Sequence, residues 1–412
     1  VTGRADHRLN WLLSSSAVSN LGDGVGKVAF PLLAATLTRD PLLIAGLSAT
    51  QFLPWLMFAL LAGTLIDRID RRKAMIIANL ARAVVVGAMG LLVCFGTVTI
   101  WLVYVAALLI GTAETVADSA ANVLIPAVVG KERFVEANSK LQACEIVGQT
   151  FLGGPIGSTT FAIFAAFPLL LNSAGFAVAA ALLLGLTGTY RAKAPAGPTR
   201  LRTDLTAGVG WLKRSPILLR LLVITGLVSL VTELAQAQLV LYALEDMRLS
   251  EAAFGLFAFI GGIGGLAGAG LAPRLIRRSS RRTVLVGGIL FCAIGFGGMG
   301  LSTQPVGSAI LFGVFAAAVV SVNVVLGTIR HTLVPGELLG RVLGVWRTVV
   351  WGAIPAGALL GGLLTAELGT ASRTFLVSGI LLMGIAVLTA VASRHFVLET
   401  AASNARDAPV RN

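Results

Sequence analysis

Ionisable side chains stand at seven places where the surrounding sequence is otherwise apolar: Asp23, Lys27, Arg82, Glu114, Asp118, Glu145 and Glu233. Each costs about 2.5 to 3.5 kcal/mol at the centre of a membrane helix, so each needs a purpose. Two kinds of chemistry suit them: a carboxylate enclosed by apolar helices can exchange a proton, or it can pair with a buried base. Asp23 lies on the stripe Ser16, Asn20, Asp23, Lys27, whose spacing of three and four sets all four on one helix face. Glu233 lies on a similar stripe, Thr225, Ser229, Glu233, Gln236. Glu114, Asp118 and Asn122 follow at steps of four, and acids on adjacent turns repel unless one is protonated or a base neutralises them. These residues predict proton coupling at Asp23, Glu233, Glu114 and Asp118, with substrate contacts from Asn20, Asp23, Glu233 and Gln236. The structural alternative pairs Asp23 with Lys27, and sets Arg82 and Glu145 with the acids of 114 and 118 in an ion-pair network.

The elements that must hold these groups are apolar and long. Of 412 residues, 56% are hydrophobic and 12% charged, against about 25% charged in soluble domains. An all-α integral membrane protein follows, since an outer-membrane barrel would show alternating segments of about ten residues. Spans of about 20 residues are predicted at 10 to 35, 41 to 66, 74 to 95, 100 to 124, 138 to 162 and 166 to 188. Six more follow at 217 to 241, 252 to 273, 283 to 301, 306 to 329, 342 to 365 and 374 to 393. The expected organisation is an N-terminal six-helix bundle (1–190), a cytoplasmic connector (191–216), a C-terminal six-helix bundle (217–393) and a cytoplasmic tail (394–412). The net charge of +13 is not a nucleic-acid footprint, because Lys and Arg gather in alternate loops and the others hold only Arg39, Arg248 and Arg373. That is the positive-inside pattern, and it places both termini in the cytoplasm.

Corresponding features recur between the two sets of spans, as internal repeats do. Leu9, Ser19 and Asp23 lie 210 residues before Leu219, Ser229 and Glu233; Gly63 lies 207 before Gly270, and Pro126 lies 209 before Pro335. Between the second and third spans the chain reads Gly63-Thr-Leu-Ile-Asp67-Arg68-Ile-Asp70-Arg71-Arg72-Lys73. The pattern Gly-x-x-x-Asp-Arg-x-x-Arg-Arg resembles the loop after the second helix in the major facilitator superfamily, with Asp70 where that family usually has Gly. Ser19-Asn-Leu-Gly-Asp23, Leu53-Pro54-Trp55 and Asp204-Leu-x-x-Gly208 with Ser215-Pro216 resemble its drug:proton antiporter-3 branch, which includes enterobactin and macrolide exporters. Gly153-Gly-Pro-Ile-Gly157 is similar to the superfamily's antiporter motif, with the final glycines displaced.

The resemblance implies two pseudo-symmetric six-helix bundles, twelve transmembrane helices in all, that alternate access to a midplane site. It implies export of an amphipathic or cationic small molecule, drug or siderophore-like, by proton antiport across the inner (plasma) membrane. The proton-motive force would drive it, with no cofactor, metal or ATP, and the chain would act as a monomer in the lipid bilayer without nucleic acid. Gly63, Asp67, Arg68, Arg71 and Arg72 would form a gating latch, Asp67 docking on a helix N-terminus; a purely topogenic loop is the alternative. Phe52, Trp55 and Phe58, with Trp346 and Trp351, offer an apolar wall for a ligand, with Trp55 and Phe58 expected to touch it; lipid-facing or core positions are the alternative.

Enzyme readings are weak. Asp67 and Asp70 form an Asp-x-x-Asp as in membrane prenyltransferases, but the corresponding loop of the second half is purely basic. No His-Glu-x-x-His or Walker loop is present. Within the same fold a lipid or lysophospholipid flippase is the competing function. A receptor or regulatory subunit that binds without turnover is another, which the acids of spans 1 and 7 argue against.

Overall fold

A computed structural model of the chain describes residues 2–66, 69–129, 134–188, 190 and 209–392. Asp67, Arg68, most of the connector and the tail from 393 lie outside the described residues. All described elements are helical. The first set is α1 (Thr2–Leu37), α2 (Pro41–Ile66), α3 (Arg71–Cys94), α4 (Ile100–Val129), α5 (Phe134–Glu145), α6 (Gly153–Ile163) and α7 (Phe167–Leu184). The second is α8 (Pro216–Gln236), α9 (Glu251–Arg278), α10 (Arg281–Leu301), α11 (Pro305–Leu333), α12 (Gly336–Leu368) and α13 (Ala371–Ala392).

Among the described residues, nine helical runs are long and apolar enough to cross a membrane. The expected spans at 10 to 35, 41 to 66 and 138 to 162 are outside that set for different reasons. The middle of α1 carries Asn20, Asp23 and Lys27 among serines, and the searched part of α2 is the shorter apolar run Pro41–Met57. The third is not one helix: a π-helical turn, Ile146–Leu152, separates α5 from α6. Pro155 supplies a local cause, because it has no N–H for the carbonyl of residue 151 and its ring crowds that carbonyl; a π turn relieves both.

Contacts within the chain define two compact units, Val1–Thr199 with Ala243–Phe259, and Arg200–Tyr242 with Ile260–Asn412. The boundary therefore cuts α9 near its start. Residues 243–259 join the first unit through several contacts: Arg39 meets Glu245 at 2.9 Å, Ser158 donates to the Ala252 carbonyl at 3.4 Å, and Phe151 meets Phe259 edge-on at 5.5 Å.

In the first unit α1 packs against α4, α5, α6 and α7, while α3 lies between α4 and α7. Buried Leu9, Leu12, Met75, Leu124, Leu183 and Leu186 form the apolar core at one end. In the second unit α8 packs against α12 and α13, and α10 against α11 and α13. Its core includes Phe296 stacked on Phe315 at 3.8 Å and Phe375 edge-on to Phe296 at 5.1 Å. Tyr242 joins this cluster and directs its hydroxyl to the Met299 carbonyl and Ser308, both at 2.8 Å. An aromatic ring with a polar tip is buried favourably only when that tip is satisfied.

Candidate functional site

Each unit holds a polar cavity among its own helices. In the first, Asp23 and Lys27 of α1 and Glu114 of α4 line a cavity of about 150 Å³ with Gln51, Trp55 and Asn172. The geometry around Asp23 departs from both sequence-based pairings. Arg82 of α3, 2% exposed, donates to Asp23 Oδ1 at 2.8 Å, to Ser19 Oγ at 3.0 Å and to Asn79 Oδ1 at 2.7 Å. Its guanidinium also lies 4.4 Å from the centre of the Phe176 ring. Ser19 and Asp23 sit one turn apart on α1, and Asn79 and Arg82 one turn apart on α3, so the planar fork finds three acceptors on two facing turns. The expected partnership of Arg82 with Glu114 and Asp118 is replaced by this one.

Lys27 is not the partner of Asp23 either. It is exposed and donates to Gln149 Oε1, while Gln149 Nε2 donates to Asn20 Oδ1 at 2.7 Å. Gln149 thus spans two turns of α1, and the π turn presents it there. The helices approach closely at this point: side chains at Gly148 and Gly153 would strike the α1 backbone at Asn20–Leu21 and at Gly24. Asn20 also donates to the Ser16 carbonyl at 2.8 Å and does not line the cavity.

Glu145, expected in an ion pair, is exposed at the end of α5 and makes none among the described residues. A π turn changes the helical phase immediately after it, so Glu145 and Gln149 do not continue one α-helical face. Glu114 is half-buried and Asp118 exposed, and neither has a hydrogen bond or ion pair among the described residues.

In the second unit Glu233 lines a cavity of about 190 Å³ with Thr225, Ser229, Cys292 and Asn323. Ser229 donates to the Val350 carbonyl of α12 at 2.9 Å, which fixes the polar stripe of α8. Glu233 is half-buried, without a hydrogen-bond or ionic partner for its carboxylate among the described residues. Gln236 does not line this cavity, and its Oε1 is buried without a partner among the described residues.

The basic loop is tied down within its own unit. Asp70 caps α3, accepting from the backbone N–H groups of Arg72 at 3.0 Å and Lys73 at 3.3 Å, and from Tyr190 N at 3.2 Å. Arg72 caps the other end of the contact, donating to the last carbonyls of α7, Leu183 at 2.8 Å and Leu184 at 2.9 Å. The Arg71 Nε is buried without a partner among the described residues. Asp67 and Arg68 lie outside the described residues, as do the surroundings of Phe58 and Gly63. Trp346 and Trp351 lie beneath Arg330 and Arg347 at 4.7 and 5.5 Å, an arrangement that uses their ring faces.

Asn79, Gln149, Asn172 and Asn323 are not among the residues expected from sequence, because they carry no charge to mark them within an apolar helix. The same signal was there in weaker form, since an amide inside an apolar helix also needs partners. The cap at Asp70 was legible as an acid just before a helix.

Comparison with known proteins adds a family. Residues 5–410 match a family described as transmembrane secretion effector. The uncharacterised MFS-type transporter YfiS of Bacillus subtilis is 26% identical over 400 residues, covering 93% of this chain and 92% of that protein. An uncharacterised MFS-type transporter of Mycobacterium tuberculosis is 34% identical over 145 residues, 34% of this chain and 32% of that protein. Among solved structures, the nucleoside transporter NupG superposes with a TM-score of 0.74 at 15% identity, covering 94% of this chain and all of that one. A bacterial homologue of the human lysosomal transporter Spinster gives 0.75 at 13% identity, over 96% and 98% of the two chains.

Proposed function

The chain belongs to the transmembrane secretion effector family of MFS-type transporters, and from that premise we propose that it exports an amphipathic or cationic small molecule by proton antiport, in the manner of the drug:proton antiporter-3 branch and across the plasma membrane. The observation that carries the reading is the unequal treatment of the intramembrane acids. Asp23 is neutralised by Arg82, whereas Glu114 and Glu233 each face a cavity with no cation or donor bonded to them among the described residues. An unpaired carboxylate in a low-dielectric site is the group whose charge a proton can switch at least cost.

Size separates proton handling from substrate handling. Pockets for drug-sized ligands run to about 300–1,000 Å³, and each of these cavities is smaller, at about 150 and 190 Å³. Glu114 and Glu233 therefore serve as proton carriers, each watered by its own cavity. Asp23 with Arg82 holds α1 against α3, and Trp55 walls the first of these proton cavities. Asp118, exposed one turn beyond Glu114, is the exit position for its proton.

The test uses proteoliposomes of the full chain with an imposed pH gradient and ethidium as the probe. Gradient-driven ethidium movement is expected in the native chain. Glu114→Gln or Glu233→Gln should bring it to the rate seen without a gradient, with a melting temperature no lower than that of the native chain. Ethidium movement that ignores both the gradient and the two substitutions would sink the antiport reading.

A further inference from the structure

The second unit carries a recess that neither polar cavity explains. It opens between α9, α10 and α11, measures about 400 Å³, and its wall is almost wholly apolar. Leu271, Leu275 and Phe291 line it at 48%, 43% and 54% exposure, so the recess is open on its outer side. Gly268 lets α9 close on the α11 backbone at Ala317, while at Gly287 an added Cβ would meet nothing within 4 Å. The first glycine brings the walls together and the second leaves the space between them empty.

One end of this recess is strongly basic. Arg274, Arg277, Arg278, Arg281 and Arg282 fall within nine residues that contain no acid. Arg282 is used structurally, donating to the Ala390 carbonyl at 2.8 Å. Arg278 and Arg281 form no ion pair or hydrogen bond among the described residues. Helical spacing sets both at the mouth: Arg278 follows Leu271 and Leu275 by seven and three, and Arg281 precedes Val284 and Gly288 by three and seven. Ser279 and Thr283 line the same recess, and the Thr283 hydroxyl shares a hydrogen bond of 2.9 Å with Ser280 Oγ. Arg281 and Arg282 also open α10, where no acid occupies the first turn. Cations are disfavoured at that end of a helix dipole and an anion is favoured.

We propose that this recess is a binding site for one anionic glycerophospholipid of the arginine-side leaflet, with an acyl chain between α9, α10 and α11 and the phosphate held by Arg278 and Arg281. The recess suits an acyl chain because apolar cavities do not hold water well. The mouth suits a phosphate because arginine binds its oxygens in a planar fork. A zwitterionic lipid would fill the recess but leave the arginines and the helix N-terminus without a net counter-charge.

The full chain in detergent, titrated with dioleoylphosphatidylglycerol and separately with dioleoylphosphatidylcholine and read by native mass spectrometry, tests the assignment. One phosphatidylglycerol should bind ahead of all others, and more tightly than phosphatidylcholine with the same chains. R278Q/R281Q should weaken phosphatidylglycerol by roughly thirtyfold, about fivefold per arginine, and R278K/R281K should recover most of it. Gly287→Leu fills the recess where nothing stands in the way and should weaken both lipids, so it tests the site even if the arginine variants fold poorly. Equal binding of the two lipids by the native chain overturns the proposal. Full phosphatidylglycerol binding in R278Q/R281Q does the same. Loss with the arginine variant but none with Gly287→Leu would mean a basic surface without a lipid slot, and also overturns it.

Discussion

A guanidinium 2% exposed among apolar helices is unfavourable by several kcal/mol unless its donors are used and its charge is met. Arg82 meets these demands with Asp23, Ser19 and Asn79, leaving its Nε unsatisfied among the described residues. Removing one member of such a pair strands the other. Arg82→Gln is therefore expected to destabilise the chain by about 3–5 kcal/mol, read as a fall in melting temperature in detergent. The double variant Asp23→Asn/Arg82→Gln should regain much of that loss, because neither charge is then left buried. Failure of the double variant to recover would show that Arg82 acts through packing on Phe176 and not through Asp23. Glu114 and Glu233 are expected to behave in the opposite way. Neutralising them removes an unpaired buried charge, so Glu114→Gln and Glu233→Gln should hold or raise the melting temperature even as they abolish gradient-driven movement. That these positions carry acids could be read from the sequence. Which acid was paired could not, because the partner of Asp23 lies 59 residues away on another helix.

The element that departs most from expectation is the fifth span. A continuous helix over 138 to 162 satisfies hydropathy, but the chain inserts a π turn at Ile146–Leu152. The turn and the glycines around it let α5 and α6 approach α1 backbone to backbone, and carry Gln149 to Asn20 and Lys27. A side chain at Gly153 would collide with Gly24 and Val25 main-chain atoms, which cannot rotate away. Gly153→Val should thus cost at least the 1–3 kcal/mol typical of overpacking, seen as a lower melting temperature and less monodisperse protein on size exclusion. Gly287→Ala, placed in open space, should leave both unchanged. Equal behaviour of the two variants would dismiss close packing as the reason for the first glycine. The glycines and Pro155 were visible in sequence, but a phase change in a helix depends on which neighbour the backbone must fit.

Across the whole molecule the 210-residue repeat reappears as matched devices. Arg72 at the start of α3 caps the end of α7, and Arg282 at the start of α10 donates to the end of α13. Each bond closes its own unit, so the loss of either should be felt locally. Arg72→Ala is expected to speed amide exchange at 183–190 and not at 386–392, and Arg282→Ala the reverse, measured by hydrogen exchange with mass spectrometry. Faster exchange at both ends in either variant would show that the caps act on the chain as a whole. The order of the helices, the membrane setting and the repeat were written in the sequence, because hydrophobic length, basic loops and recurrence at a fixed offset are properties of the chain in one dimension. Family membership followed from the same features. The pairing of Asp23 with Arg82, the isolation of Glu114 and Glu233 in separate cavities, and the arginine-crowned recess were decided only by tertiary structure. Each depends on residues far apart in sequence that face one another across packed helices, and helical spacing fixes the face of a residue but not what stands opposite it.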